Sequence, residues 1–261
     1  MNNSLLGKRA LVGGSTQGIG LAIAKQLAAD GATVILLARN EEKLQKVLEN
    51  LPNTEGVIHQ YLVADFSDFE HFKTVISDFF TTNTVDIVVN NTGGPPAKAA
   101  VETTIEDFQK AFEMHLLANH FLATKAVEGM KTKGWGRIVN VLSSTIKQPK
   151  VNMILSNSIR AGVANWSKTL ATELGSWGIT VNNVLPGYIA TERLNELNQF
   201  KSQKTGQNLD KIEAEMLAEI PAGRLGKPEE MAFAVAFLCS NMADYINGIN
   251  LPVDGGVLRG L

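Results

Sequence analysis

Gly13-Gly14-Ser15-Thr16-Gln17-Gly18-Ile19-Gly20 is the stretch of sequence that decides the fold. It follows a short apolar run at residues 9–12 and opens a pattern of helical period at 19–29. Glycines there allow a sharp backbone turn and let an anion approach the main chain closely. The helix start adds unpaired N–H groups and the positive end of its dipole. A glycine cluster alone is often only a tight turn, but between a strand and a helix it predicts a phosphate-binding turn.

The same order of strand and helix continues along the chain. This alternation predicts a parallel sheet that is covered by helices. The predicted strands lie at 9–12, 33–37, 57–63, 86–89, 137–142, 179–184 and 249–253. The predicted helices lie at 19–29, 41–51, 69–80, 105–130, 154–174 and 228–239. A polar segment at about 192–220 interrupts the rhythm, although it carries apolar residues at near-helical spacing.

The composition is that of an ordinary globular protein. The chain has 261 residues, 44% of them hydrophobic, and 24 basic residues stand against 26 acidic ones. A charge so close to neutral gives no general attraction to nucleic acid or to anionic membranes. Residues 1–7 lack the features of a signal peptide, and the longest apolar run, at 231–239, is too short to span a bilayer. We therefore expect one domain, with neither a nucleic-acid nor a membrane partner.

Cysteine and histidine usage gives two further expectations. The single cysteine, Cys239, cannot form an internal disulfide, which suits a reducing compartment, and we expect a cytoplasmic protein. Cys239 stands in an apolar helical pattern, so we interpret it as a core residue rather than a nucleophile. Among the four histidines, His115 and His120 are five apart and do not share a helix face, so no metal site is predicted.

A series of landmarks follows the glycine turn at characteristic separations. They are Gly14-xxx-Gly18-Ile19-Gly20, Asp65, Asn90-Asn91-Thr92-Gly93, Ser143, Pro186-Gly187 with Thr191, and Val253-Asp254-Gly255-Gly256. In this order, over residues 7–256, they resemble the short-chain dehydrogenase/reductase family. The resemblance implies a single α/β domain with a Rossmann-type, doubly wound, seven-stranded parallel sheet and a substrate lid at about 192–220. It also implies a homo-oligomer, dimer or tetramer, that pairs through the helices at 105–130 and 154–174 and through the last strand.

The resemblance assigns a set of residues to a nicotinamide cofactor. They are Gly14, Ser15, Thr16, Gln17, Gly18, Ile19, Gly20, Arg39, Asp65, Phe66, Asn90, Thr92, Gly93, Arg160, Pro186, Gly187, Ile189 and Thr191. Asp65 would bond the adenine amino group.

The end of the second strand bears on which cofactor is preferred. An NAD-preferring site commonly has a carboxylate there, whereas this chain reads Leu37-Ala38-Arg39-Asn40. The guanidinium of Arg39 suits a 2′-phosphate, although a solvated surface arginine is the alternative interpretation. Gln17 departs from the many NADP-binding members that carry a basic residue at that position. The sequence predicts a preference for NADP(H) over NAD(H).

The catalytic positions depart from the family pattern. Members use a serine, a tyrosine, a lysine four residues after the tyrosine, and an asparagine on an earlier helix. Ser143 matches the serine, but Ser156 stands where the tyrosine is expected and Arg160 where the lysine is expected. His115 stands at the asparagine position. A serine hydroxyl is a far weaker acid than a phenol and arginine does not give up a proton, so cofactor binding is expected to survive better than the usual proton transfer.

Three residues are candidates for the missing proton donor. His115 has an intrinsic pKa near neutrality and would relay or donate a proton, or it is a structural histidine. Tyr188 follows Pro186-Gly187 and offers a phenol, or it is a packed aromatic. Lys147, four residues after Ser143, is more readily interpreted as a surface lysine.

Two classes of function remain open. A stiff loop, 91–96, and the segment at 192–220 predict a largely apolar pocket for a small-molecule carbonyl or alcohol substrate. By analogy the leading substrate is a 3-oxoacyl thioester. The first hypothesis is an NADP(H)-dependent oxidoreductase with an unorthodox proton source. The second is a dinucleotide-binding homologue without turnover that acts as a sensor or an assembly partner.

Overall fold

A seven-stranded parallel sheet forms the centre of the computed structural model, which describes residues 4–53 and 56–260. Its order is β3-β2-β1-β4-β5-β6-β7. The strands are β1 (Arg9–Gly13), β2 (Thr33–Ala38), β3 (Gln60–Val63), β4 (Ile87–Asn90), β5 (Gly136–Val141), β6 (Ile179–Pro186) and β7 (Asn250–Val253). The predicted Rossmann-type, doubly wound fold is confirmed.

Helices cover both faces of this sheet. They are α1 (Gly18–Ala29), α2 (Glu41–Glu49), α3 (Phe69–Thr82), α4 (Ile105–Phe112), α5 (Ala118–Lys133), α6 (Ile154–Leu174), α7 (Glu192–Thr205), α8 (Leu209–Glu219) and α9 (Pro228–Cys239). Side chains alternate along a strand, so in β1 Ala10 and Val12 belong to the core under α1 and α9, whereas Leu11 belongs to the core under α3 and α5. Burial on both faces explains why the strands read as continuous apolar runs.

Some predicted boundaries are confirmed and others are wrong. The bounds of α6 and α9 are those predicted. The third strand begins at Gln60 rather than at 57, because the imidazole Nδ1 of His59 accepts the Val34 N–H at 3.0 Å before the backbone ladder starts. The second helix ends at Glu49 rather than at 51, where the Asn50 side chain donates to Lys46 O at 2.7 Å.

The helix predicted at 105–130 is three segments. A π-helical turn, Glu113–Leu117, separates α4 from α5, and α5 continues to Lys133, where Gly134 ends it at φ 61°. A π turn adds one residue to the helix and redirects the side chains around it. Here it brings His115 into the interior.

A row of asparagine side chains crosses four neighbouring strands. Asn90 donates to Asn140 (2.7 Å), Asn140 to Asn183 (2.8 Å), and Asn183 to Asn250 (2.8 Å). Ser167 of α6 donates to Asn183 at 2.9 Å and accepts from Asn140 at 2.9 Å. The amides therefore pair with one another inside the sheet, while Asn90 Oδ1 has no partner among the described residues.

The segment at about 192–220 forms the two helices α7 and α8. Thr191 caps α7 by accepting the Leu194 N–H, and Gly206 ends it at φ 71°. Ile212 and Met216 bury one side of α8, whereas α7 has no buried residue.

None of the helices in residues 4–53 and 56–260 is long and apolar enough to cross a membrane. The sequence expectation about a signal peptide rests partly on residues 1–3, which lie outside the described residues.

Candidate active site

A cleft of about 650 Å³ opens at the carboxyl ends of the strands, beside the point where the chain order reverses between β1 and β4. Ligands of doubly wound sheets bind at such a point. Most of the predicted cofactor residues line this cleft: Gly14, Thr16, Gln17, Gly18, Ile19, Gly20, Arg39, Asp65, Phe66, Thr92, Gly93, Arg160, Pro186, Gly187, Ile189 and Thr191. Asn91 of the predicted loop and Arg193 of the predicted lid segment also line it, together with Lys43 and Met114, which the sequence prediction did not include.

The glycine turn leaves its inner surface free of side chains. Gly14 and Gly18 have φ of 56° and 54°, which side-chain-bearing residues rarely adopt. A β-carbon on Gly20 would lie 2.1 Å from Gly14 O and 2.6 Å from the Asn91 amide nitrogen. The N-terminus of α1 follows directly, so bare N–H groups face the cleft. This cradle fits a pyrophosphate.

Two of the predicted cofactor residues lie behind the cleft rather than in its lining. Ser15 is fully buried, and its Oγ accepts the Leu37 N–H at 3.0 Å, which ties the glycine turn to β2. Asn90 is also buried and belongs to the asparagine row. Both residues shape the binding surface through the backbone.

The outer end of the cleft is cationic. Arg39 is 77% exposed, and its Nη1 lies 3.7 Å from the Asp65 carboxylate. Burial raises the pKa of Asp65, but hydrogen bonds from Ser67 and the charge of Arg39 outweigh this and hold the pKa below its usual value. Lys43, in the first turn of α2, lines the same end. Two cations against one carboxylate leave net positive charge for an anionic group.

Three hydroxyls form a chain at the carboxyl end of β5. Ser143 Oγ accepts from Thr145 twice, from the backbone N–H at 3.2 Å and from Oγ1 at 3.0 Å. Because it accepts both of these bonds, Ser143 keeps its own proton free to donate. Ser156 is buried and lies 3.5 Å from Thr145 Oγ1, a marginal contact. Sequence reasoning missed Thr145, whose role depends on where its partners lie.

Arg160 presents a buried cation to the inner cleft. Its Nη1 donates to Val141 O at 3.0 Å and also to Leu142 O, and its Nε has no partner among the described residues. Burial, and then the charge of Arg193, lowers the pKa of Arg160 to about 10. The guanidinium therefore stays protonated near neutral pH.

His115 faces Thr92 from the π turn. Its Nδ1 lies 2.6 Å from Thr92 Oγ1, and its Nε2 is buried with no partner among the described residues. Burial, and then the charge of Arg160, lowers its pKa to about 3. The expectation of a histidine that titrates near neutrality is therefore corrected: the ring is neutral at pH 7. Direct donation by an imidazolium is disfavoured, and a relay through the neutral ring stays a prediction.

Tyr188 lies among charged side chains. Its Oη donates to Glu219 at 2.6 Å, and the ammonium of Lys150 contacts the same phenol oxygen. Burial, and then Glu219, raises the pKa of Tyr188 above its usual value. Lys147 is exposed, as the surface interpretation predicts. Sequence reasoning missed Lys150, which is 38 residues from Tyr188 along the chain.

Cys239 is not a candidate nucleophile. Cys239 is buried in α9, and burial raises the pKa of its thiol to about 12, which keeps it inert. Within the described ranges, no group of three His, Cys, Asp or Glu side chains is arranged to hold a metal ion.

The doubly wound sheet and the glycine cradle define a dinucleotide-binding protein, and known proteins give its family. Residues 14–258 match the family described as Enoyl-(Acyl carrier protein) reductase. The chain is 33% identical over 258 residues to the 3-oxoacyl-[acyl-carrier-protein] reductase FabG of Aquifex aeolicus, covering 98% of this chain and 100% of that protein.

Two solved structures are similar along the whole chain. L-sorbose reductase from Gluconobacter frateurii, complexed with NADPH and L-sorbose, has a TM-score of 0.92 at 33% identity, covering 100% of both chains. YwfH, an NADPH-dependent reductase involved in bacilysin biosynthesis, has a TM-score of 0.90 at 30% identity, covering 97% of this chain and 99% of its own. The chain belongs to the short-chain dehydrogenase/reductase family. It is an oxidoreductase that uses a nicotinamide dinucleotide.

Proposed function

We propose that the protein is an NADP(H)-dependent oxidoreductase that transfers hydride between nicotinamide and a carbonyl or secondary alcohol. A 3-oxoacyl thioester is the leading substrate class. The observation that carries the proposal is the hydroxyl of Ser143, which accepts two hydrogen bonds from Thr145 and directly follows Val141 and Leu142, which line the cleft that holds the glycine cradle. The FabG relatives support the substrate class.

The preference for NADP(H) over NAD(H) is supported by charge. Arg39 and Lys43 line the outer end of the cleft, where Asp65 lies 3.7 Å from Arg39. A 2′-phosphate placed there would gain charge-assisted hydrogen bonds that a 2′-hydroxyl cannot match. Two similar proteins of known structure use or bind NADPH: YwfH is an NADPH-dependent reductase, and L-sorbose reductase was solved in complex with NADPH.

The residues of the cleft divide the work of such a reaction. The glycine cradle and α1 would hold the pyrophosphate of NADPH, which when bound would supply the hydride for the carbonyl carbon. Ser143 donates a hydrogen bond to the carbonyl oxygen, where negative charge develops. Arg160, a buried permanent cation, adds to the positive potential at the inner cleft. Ser156 contributes little because its hydroxyl reaches only Thr145, at 3.5 Å.

A second function is favoured by a different observation. Ser156 and Arg160 replace the usual acid and its partner, and His115 is neutral at pH 7. These features favour a catalytically impaired homologue that binds the dinucleotide and acts as a sensor or an assembly partner.

The same proposal includes a cytoplasmic homo-oligomer, dimer or tetramer. Apolar side chains remain exposed on α4, which belongs to the predicted pairing surface, including Ile105 and Phe112. Light scattering coupled to size-exclusion chromatography would measure the mass in solution. A monomer at micromolar concentration contradicts this part.

NADPH consumption across a carbonyl panel that includes 3-oxoacyl thioesters tests the enzyme directly. Fluorescence titration with NADPH on the same sample confirms that the cofactor site is intact. We expect turnover on at least one carbonyl. Tight NADPH binding without turnover on the whole panel would favour the binding protein instead.

A further inference from the structure

Three charged or polar side chains from separate elements meet next to the segment that follows β6. Lys150 comes from the loop that follows Ser143, Tyr188 from the turn after β6, directly after the cleft residue Gly187, and Glu219 from the last residue of α8. Tyr188 Oη donates to Glu219 Oε2 at 2.6 Å and is contacted by the ammonium of Lys150. That ammonium lies 3.9 Å from the centre of the Tyr188 ring and 3.9 Å from the Glu219 carboxylate.

We propose that Lys150 and Tyr188 form the proton-donating pair that α6 lacks, and that Glu219 holds the place of the substrate oxygen until substrate binds. This inference rests on the proposed function. In the family pattern the tyrosine and the lysine come from one helix. Here Tyr188 would come from the turn after a strand and Lys150 from a loop.

Backbone hydrogen bonds tie both members of the pair to segments that flank the cleft. The Lys150 carbonyl accepts from the Asn157 side chain at 2.9 Å, and Asn157 is the neighbour of Ser156 in α6. Tyr188 directly follows Gly187, which lines the cleft, and its carbonyl accepts the Gly226 N–H at 2.9 Å. Tyr188 is thus one position from a residue that lines the cleft, and Lys150 is bonded to a residue one position from Ser156.

The hydrogen bonds already point in one direction. The ammonium of Lys150 has only protons to give, so the phenol oxygen accepts from it and passes its own proton onward to Glu219. A carbonyl oxygen in place of the Glu219 carboxylate would receive that proton. Glu219 is 58% exposed, so its carboxylate can turn to water at small cost.

The proton balance closes without a further reagent. As the carbonyl carbon accepts hydride with its electron pair, the oxygen takes the phenol proton and becomes a hydroxyl. The phenol oxygen takes a proton from the Lys150 ammonium, which leaves a neutral amine that is reprotonated by water. In the oxidative direction each transfer reverses.

The surrounding charges set the pH dependence. Burial lowers the pKa of Lys150, Glu219 raises it, and Lys201 on α7 lowers it, with a net fall below the usual value. The donating form therefore exists below this lowered pKa, and reduction is expected to slow as pH rises through it. Glu219 also raises the pKa of Tyr188, so its departure makes the phenol a better acid.

The test compares Lys150→Met, Lys150→Arg, Tyr188→Phe and Glu219→Gln with the exposed neighbour Lys147→Met as control. Steady-state reduction, NADPH affinity and melting temperature are measured for each, with a pH profile for the wild type. We expect kcat to fall about 100-fold or more in Lys150→Met, Lys150→Arg and Tyr188→Phe, with unchanged NADPH affinity. Arginine fails because it keeps the charge but does not release a proton. We expect Glu219→Gln to raise kcat/KM, because the phenol loses the carboxylate that competes with the substrate oxygen, and Lys147→Met to match the wild type.

Different results overturn different parts. Full activity in Lys150→Arg would reduce Lys150 to a fixed charge, and loss of activity in Glu219→Gln equal to that in Lys150→Met would make the cluster a structural clamp. Wild-type activity in Lys150→Met or Tyr188→Phe would contradict the proton-donating role of the pair, while the proposed function would stand. A wild type that binds NADPH but reduces nothing removes the proposed function and the pair with it.

Discussion

The two ends of the cleft are built in different ways. The cofactor end depends on backbone: a glycine turn, a helix N-terminus and the ends of parallel strands. The substrate end depends on individual side chains, among them Ser143, Ser156 and Arg160. Backbone geometry is insensitive to most substitutions, whereas acid–base chemistry is lost with a single group. Binding of the cofactor and transfer of a proton can therefore change independently in this fold.

The largest effect is expected at the cofactor end, from Gly20→Ala. The added β-carbon would lie 2.1 Å from Gly14 O, so the turn cannot keep its shape. We expect NADPH affinity to fall by at least about 1000-fold in a fluorescence titration, since the pyrophosphate loses its backbone contacts. Gly162→Ala in α6 is the control, because the nearest atom, on Leu116, is 4.0 Å away. It should bind normally and gain about 0.5–1 kcal/mol in stability. If Gly20→Ala bound NADPH with a Kd within tenfold of the wild-type value, the cofactor end would not depend on the shape of the glycine turn.

The next effect is expected at the substrate end, from Ser143→Ala. This change removes the free hydroxyl that would face the developing negative charge. We expect kcat/KM to fall about 100-fold, as for other single hydrogen-bond donors at such positions, while NADPH affinity is unchanged. Ser158→Ala, an exposed position on α6, should have no effect. A parallel loss of NADPH affinity would show that the two ends are not separable.

Arg39→Ala sharpens the comparison within the cofactor end. It removes a charge-assisted contact to a 2′-phosphate, which corresponds to about 1.5–3 kcal/mol. We expect the Kd for NADPH to rise about 10- to 100-fold and the Kd for NADH to change less than threefold. Lys46→Ala, which removes a positive charge from an exposed position in α2, serves as the control. Equal losses for both cofactors would contradict a 2′-phosphate role.

The smallest effect is expected from Ser156→Ala. From the sequence we propose that Ser156 takes the place of the family tyrosine, but among the described residues its hydroxyl contacts only Thr145 Oγ1, at 3.5 Å. We expect kcat/KM to stay within about threefold of wild type in the same assay. A drop comparable to that of Ser143→Ala would instead make the hydroxyl chain the proton path.

The sequence predicted the fold better than it predicted the site. The periodic segments with strong end signals, α6 and α9, had the right bounds because local pattern determines them. The π turn at Glu113–Leu117 was missed, since one extra residue in a helix leaves no local signature. The glycine turn was found because its chemistry is contiguous in the chain.

Side chains brought together from distant segments were harder to predict. The contact between Lys150 and Tyr188 depends on how a loop lies over a strand end, which no spacing rule encodes. The neutral state of His115 follows from burial beside Arg160, and this is a property of the folded protein alone.

The asparagine row has a consequence for how the sheet assembles. Each amide finds its partner only when Asn90, Asn140, Asn183 and Asn250 stand side by side in the four strands. A slip of one residue would turn an amide to the opposite face and bury it among apolar groups. Each unpaired amide would cost about 1–3 kcal/mol. The row therefore makes misaligned strand pairings less stable than the native one. The native pairing places Gly187 and the end of β5 at the same edge of the sheet.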